Sequence, residues 1–166
     1  SVHIKPGDEK YLINLGHALF LQNRYDEART YYLRAIAINP RFADSYYHAA
    51  DVCFFSGRDN EALEYYKKNL HLSPGNAAAE NNVAIILMRQ EKFDEAIIYL
   101  RAAIKHQPDY AVARNNLAVV LARKNRIKEA INELNEALRI DPQYTEAMNN
   151  LLKLRGLAQS NKNIAP

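Results

Sequence analysis

Apolar residues recur at spacings of three and four along almost the whole chain, and the pattern breaks at regular places. From Glu9 the positions Leu12, Leu15 and Leu19 share one helix face; after a polar interval Ala28, Tyr32, Ala35 and Ile36 share another. These runs predict helices over Glu9–Gln22 and Tyr25–Ile38. Asn23 lies between them, where a residue in the left-handed conformation ends a helix. Asp26 and Glu27 then set negative charge at the positive end of the second helix. The unit is a helix, a tight turn and a second helix.

The unit returns. Asn81–Tyr110 lies over Asn115–Tyr144 without a gap, at an offset of 34 residues throughout. Pro6, Pro40, Pro74, Pro108 and Pro142 keep the same period. Such a period is the mark of two-helix units stacked side by side, each burying its apolar face against its neighbours. Full units are expected at residues 9–42, 43–76, 77–110 and 111–144. The second uses Gly57 at its mid-turn and carries Ala50, Cys53, Ala62 and Tyr66 as its packing set. It departs at Asn69, where the others have Ala35, Ala103 and Ala137, and a looser contact is expected there. The third and fourth are the cleanest: Ala84, Leu87, Ala96, Leu100 and Ala103 are matched by Ala118, Leu121, Ala130, Leu134 and Ala137.

The ends are incomplete copies. His3-Ile4-Lys5-Pro6 resembles Ala37-Ile38-Asn39-Pro40, so residues 1–8 read as the stump of a preceding repeat and the chain as a fragment of a longer array. Thr145 opens a fifth first helix, with Asn149-Asn150 in register, and no second helix follows. Residues 145–158 are expected to cap the last apolar face, with 159–166 a flexible tail.

Together these residues resemble the tetratricopeptide repeat family. Leu12, Leu15, Gly16, Leu19, Ala28, Tyr32, Ala35 and Pro40 carry the likeness in the first unit, and their counterparts carry it to about Ala158. The resemblance implies an all-α fold, a right-handed α-solenoid of stacked antiparallel helix pairs. It also implies that the first helices line a concave groove that binds protein segments, without catalysis or a cofactor.

Composition narrows the alternatives. Hydrophobic residues make up 48% and charged residues 25%, ordinary for a folded protein. A net charge of +3, spread as a mild gradient over the units, gives no basic face for nucleic acid. The eleven tyrosines fall mostly at packing positions rather than on a stacking platform. Cys53 is the only cysteine, so no internal disulfide forms. No apolar run is long enough to insert directly into a membrane, and no signal peptide opens the chain, so a soluble fragment of unassigned compartment is expected. Phosphate-binding glycine loops and spaced cysteine–histidine metal sets are absent.

The candidate binding residues lie on the first helices. Six residues into each unit stand Asn14, His48, Asn82, Asn116 and Asn150, and Asn81, Asn115 and Asn149 precede three of them. An amide carries both donor and acceptor, so it can hold a peptide backbone without reading its sequence. First helices about 10 Å apart would meet an extended peptide, at about 3.3 Å per residue, every third residue or so. The series resembles the asparagine ladder in the repeat region of the O-linked N-acetylglucosamine transferase, which holds substrate peptides by their backbone; the same asparagines have a second reading, as bonds between neighbouring helices. Beside them Ile85, Met88 and Val119, rimmed by Arg89 and Arg123, form an apolar strip suited to a partner's hydrophobic side chains or an amphipathic helix. His17, Phe20, Asp51 and Phe54 give the first two units a more aromatic and polar face. The carboxylate clamp that some family members use on chaperone tails is not expected, because Ile13, His17, Val112 and Asn116 stand at its basic and amide positions.

The expected function is therefore a protein–protein interaction module. The rival reading is a substrate-recruiting or scaffolding region of a larger enzyme, such as a glycosyltransferase, or of a membrane assembly protein. A truncated array also exposes apolar helix faces at its ends, a route to self-association.

Overall fold

The computed structural model describes residues 8–162, and every regular element among them is an α-helix. In chain order these are α1 (Asp8–Leu21), α2 (Tyr25–Ile38), α3 (Ala43–Phe55), α4 (Asp59–Leu72), α5 (Ala77–Arg89), α6 (Phe93–His106), α7 (Ala111–Arg123), α8 (Ile127–Ile140) and α9 (Thr145–Lys162). The proposed stump at residues 1–8 falls, apart from Asp8, outside the described residues, as do residues 163–166 of the proposed tail. Helix α9 runs to Lys162, past the Ala158 boundary expected from the sequence.

One local device makes each helix pair. In the first, the amide of Arg24 donates to the Leu19 carbonyl at 3.0 Å and that of Asn23 to the Phe20 carbonyl at 2.9 Å, with Asn23 at φ 60°. This crossed pair of bonds around a left-handed residue satisfies carbonyls that a helix end leaves without partners. It recurs at Gly57 (φ 76°), Glu91 (φ 58°) and Asn125 (φ 58°), where Arg58, Lys92 and Arg126 donate to Cys53, Leu87 and Leu121. The next helix starts at once with acidic residues in its first turn: Asp26 and Glu27, Asp59 and Glu61, Asp94 and Glu95, and Glu129. The charges favour the positive helix end by a few tenths of a kcal/mol to about 1 kcal/mol each.

The chain divides into two compact units, Ser1–Ala79 and Glu80–Pro166. In unit 1, α1 packs on α2 and α3 on α4, while α2 lies against α3 and α1 touches α3. The core holds Leu12, Leu19, Ala28, Tyr32, Ala35, Ala50, Cys53, Ala62 and Tyr66; of the positions that the periodicity selects, Leu15 and Ile36 are only half-buried. In unit 2, α6 packs on α7, α7 on α8 and α8 on α9, with α7 touching α9. Ala84, Leu87, Ala96, Leu100, Ala118, Leu121, Ala130 and Leu134 are buried there. Leu151 and Leu154 bring α9 into the same core, at 4% and 9% exposure.

Asn69 corrects one expectation. It is fully buried, donates to the Ala43 carbonyl at 3.0 Å and accepts from Asn76 at 3.0 Å. Asn76 in turn accepts from the Ala79 amide at 3.2 Å, at the entry to α5. The polar side chain does not loosen the contact, because both ends of its amide are satisfied. It ties the start of α3 to the turn after α4.

Candidate functional site

In unit 1 the expected groove residues gather into two aromatic groups. Half-buried His48 on α3 stacks on Tyr32, ring centroids 5.5 Å apart, and stands edge-on to Tyr47 at 5.6 Å. The exposed His17 ring lies 6.3 Å away. Burial pushes the His48 imidazole below its ordinary pKa; the Asp44 carboxylate opposes that shift and His17 adds to it. The neutral ring is therefore favoured. The Tyr32 hydroxyl, buried and near the Asp51 charge, is pushed up to about 12.

Asp51 accepts a hydrogen bond from Tyr66 at 2.5 Å, which commits this expected groove carboxylate to holding α3 on α4. The second group joins Phe55 to Phe20 at 5.3 Å and to Phe54 at 5.4 Å, with Phe55 itself 58% exposed. Asn14 is exposed on α1. Among the described residues no three His, Cys, Asp or Glu side chains are grouped to hold a metal. Burial raises the pKa of the Cys53 thiol, so the protonated form is favoured.

In unit 2 the asparagines link the first helices to one another. Asn116 on α7 donates to the Asn81 carbonyl oxygen on α5 at 2.9 Å, and Asn150 on α9 donates to that of Asn115 on α7 at 2.9 Å. Asn81 also donates to Asn82 at 3.4 Å, and Asn115 to Glu146 at 3.1 Å. Asn81 and Asn115 are 2% and 0% exposed. This corrects their assignment to the open face: they are packing residues, and the bond between neighbouring helices is what they make. Asn82, Asn116 and Asn150 are half-buried and Asn149 is exposed. The reason lies in the helical period. Asn81 and Asn115 stand three residues before the buried Ala84 and Ala118, on the packing face.

The apolar strip is partly open. Ile85, Met88 and Val119 are half-buried, with Arg89 and Arg123 exposed in the last turns of α5 and α7. Val119, Arg123 and Asn150 come together in a cleft of about 300 Å³ between α7, α8 and α9. Ala118, Ala122, Ile127, Leu134 and Leu154 supply its apolar walls, and Lys153 stands at its edge. Sequence reasoning missed Lys153 and Leu154 as site residues because it read the fifth first helix as a cap, although Lys153 stands 34 residues after Val119. The spacing of Asn150 and Leu154, four apart on one helix face, was the available signal.

Sequence models of the tetratricopeptide repeat match residues 9–42, 43–76 and 84–145. The chain belongs to the tetratricopeptide repeat family. Solved tetratricopeptide structures share its fold. YrrB, described as a repeat protein with an unusual peptide-binding site, aligns over 89% of this chain and 76% of its own, with a TM-score of 0.75 at 22% identity. MamA from Desulfovibrio magneticus RS-1 aligns over 96% of this chain and 90% of its own, with a TM-score of 0.85 at 17% identity. The first tetratricopeptide domain of Spaghetti, bound to the HSP90 peptide SRMEEVD, covers 70% of this chain and 93% of its own, with a TM-score of 0.67 at 25% identity. No curated protein sequence matches the chain. The expected fold class, an all-α solenoid of antiparallel helix pairs, is that of these structures. No helix among the described residues is long and apolar enough to cross a membrane.

Proposed function

We propose that this chain is a non-catalytic protein–protein interaction module, and that the first helices of unit 2 receive a segment of a partner protein. The observation that carries this reading is the half-buried amide of Asn150 at the open apolar cleft on α7 and α9, with Asn116 at the same register position one unit earlier. Asn116 and Asn150 each commit one amide N–H to the preceding first helix, α5 and α7 respectively. That fixes the side chain and leaves its second N–H and its carbonyl oxygen to meet a peptide backbone. Preorganised amides of this kind lose little entropy when a ligand arrives. The peptide sites named for YrrB and for Spaghetti support the same use of the fold here.

The test is to select binders from a displayed random-peptide library on the intact chain and to map them by nuclear magnetic resonance. The expected result is perturbation of the side-chain amides of Asn82, Asn116 and Asn150 and of backbone signals along α7 and α9. Shifts confined to α6 and α8, or no selected peptide at all, would refute the reading.

A further inference from the structure

We infer that the outer face of α1 is a dimerisation surface, on which a second copy of this chain lays its own α1 antiparallel about a two-fold axis. The face is open, it carries no charge, and its residue sizes complement themselves.

The face belongs to an interface that the rest of the array fills. Helices α3, α7 and α9 each lie against the second helix of the preceding pair, α2, α6 and α8. At the register position of Tyr11 their residues Ser45, Ala113 and Ala147 are fully buried; at that of Ala18, Val52, Val120 and Leu154 are buried too. On α1 the same stripe faces outward. Tyr11 and Leu21 are 69% and 68% exposed, Asn14 and Ala18 are exposed, and Leu15 is half-buried. Spacings of three and four set these five residues along one side of the helix. None of them is charged. The basic residues beside them are turned elsewhere, Lys10 to the Phe42 ring at 6.0 Å and His17 to His48. Pairing the stripe therefore takes no formal charge out of water, and it covers apolar surface that a lone chain leaves wet.

The sizes along the stripe are reversed. Where α3, α7 and α9 have Ser or Ala, α1 has Tyr11; where they have Val or Leu, it has Ala18. A second helix shaped like α2 or α8 would meet a bulky ring at one end and a gap at the other. A second α1 running the opposite way meets neither. Tyr11 of each copy enters the space left by Ala18 of the other, seven residues and about 10 Å along the helix. The two-fold axis passes by Asn14 and Leu15, and the two Asn14 amides, each both donor and acceptor, bond across it. Every contact is made twice, as an isologous interface requires. One helix from each copy is a small contact, so the dimer is weak and forms as concentration rises.

Sedimentation velocity of the intact chain over a wide concentration range is the first test. The expected result is a reversible monomer–dimer equilibrium without larger species. Ala18→Glu, at an exposed site, should leave the chain monomeric while its circular dichroism and thermal melting stay those of the parent. Tyr11→Ala and Ala18→Tyr should each weaken the dimer about tenfold, the one by a lost ring and the other by two rings in collision. The double variant Y11A/A18Y exchanges the two sizes and should restore it. Disulfide trapping reports the direction of the helices. N14C should cross-link to itself, whereas Y11C and A18C should do so only when mixed, because a disulfide spans a short distance. Cys53 is fully buried and does not compete. A chain that stays monomeric throughout overturns the inference and leaves the face to a helix of other origin. Species larger than a dimer, A18E associating like the parent, or a double variant no better than the weaker single one overturns it as well.

Discussion

Unit 1 fills its helix pairs with aromatic rings where unit 2 uses aliphatic chains. Tyr32 and Tyr66 occupy the second-helix position that Leu100 and Leu134 hold, all within 1% of full burial. The first helix answers in kind. Opposite Tyr32 stands Gly16, where an added Cβ would lie 2.6 Å from the tyrosine Cε1. The corresponding residues in unit 2 are Ala84 and Ala118, which leucine tolerates. Tyr66 coexists with Ala50, and its hydroxyl is held by Asp51. The small residue of each first helix is thus matched to the particular large residue that crosses it. A second contrast is polar. Unit 2 has Asn81 and Asn115 where unit 1 has Ile13 and Tyr47, so its first helices are joined by amides and those of unit 1 by apolar and aromatic contact.

The largest effect should come from forcing one unit's rule on the other. Gly16→Ala restores up to about 1 kcal/mol of helix propensity, but overpacking against the buried Tyr32 ring costs about 1–3 kcal/mol. The steric term wins, and urea unfolding should show a net loss of about 1–2 kcal/mol. Adding Tyr32→Leu recreates the unit 2 pairing, so the double variant should be more stable than the sum of the single changes by about 1 kcal/mol. Strictly additive losses would mean the two positions are not matched.

A smaller loss should follow from Asn115→Ala, which leaves Asn150 and Glu146 without their amide partner. Stability should fall by about 0.5–1 kcal/mol, and amide exchange in α9 should quicken ahead of that in α6. Unchanged exchange in α9 would separate the asparagine pairs from helix docking.

The smallest expected effect is on pH. The His48 pKa is lowered on folding from its ordinary 6.5. Between the folded and unfolded values the unfolded state binds more protons, so this contribution to stability is present above pH 6.5 and is lost as pH falls through the folded value. Unfolding of unit 1 followed on either side of that pH should show the loss, and His48→Gln should remove it. A variant with the same pH profile as the parent would assign the dependence elsewhere.

The fold was legible because the repeat reports the same answer several times. Alanines and leucines at fixed offsets named the core, and Asn23 and Gly57 named their turns by residue type. Glu91 was not named, since a glutamate at positive φ has no local signature and ordinarily resists that conformation by about 1–2 kcal/mol. The binding face was less legible. A polar residue on a helix reads as solvent-facing until its partner is known, and the partners of Asn81 and Asn115 lie 35 residues further along the chain. Asn69 misled for the same reason, because nothing in the sequence says where its two amide ends are satisfied.

The turns that end each first helix have a consequence for engineering. Each is closed by the same two crossed bonds, and each is 34 residues from the next. The repeat therefore behaves as an interchangeable cassette with a reading frame. Excising Ala111–Tyr144 and joining Tyr110 to Thr145 carries the backbone from one copy of the joint to the next without changing helix phase. A deletion one residue longer would rotate everything beyond it by about 100° about the helix axis.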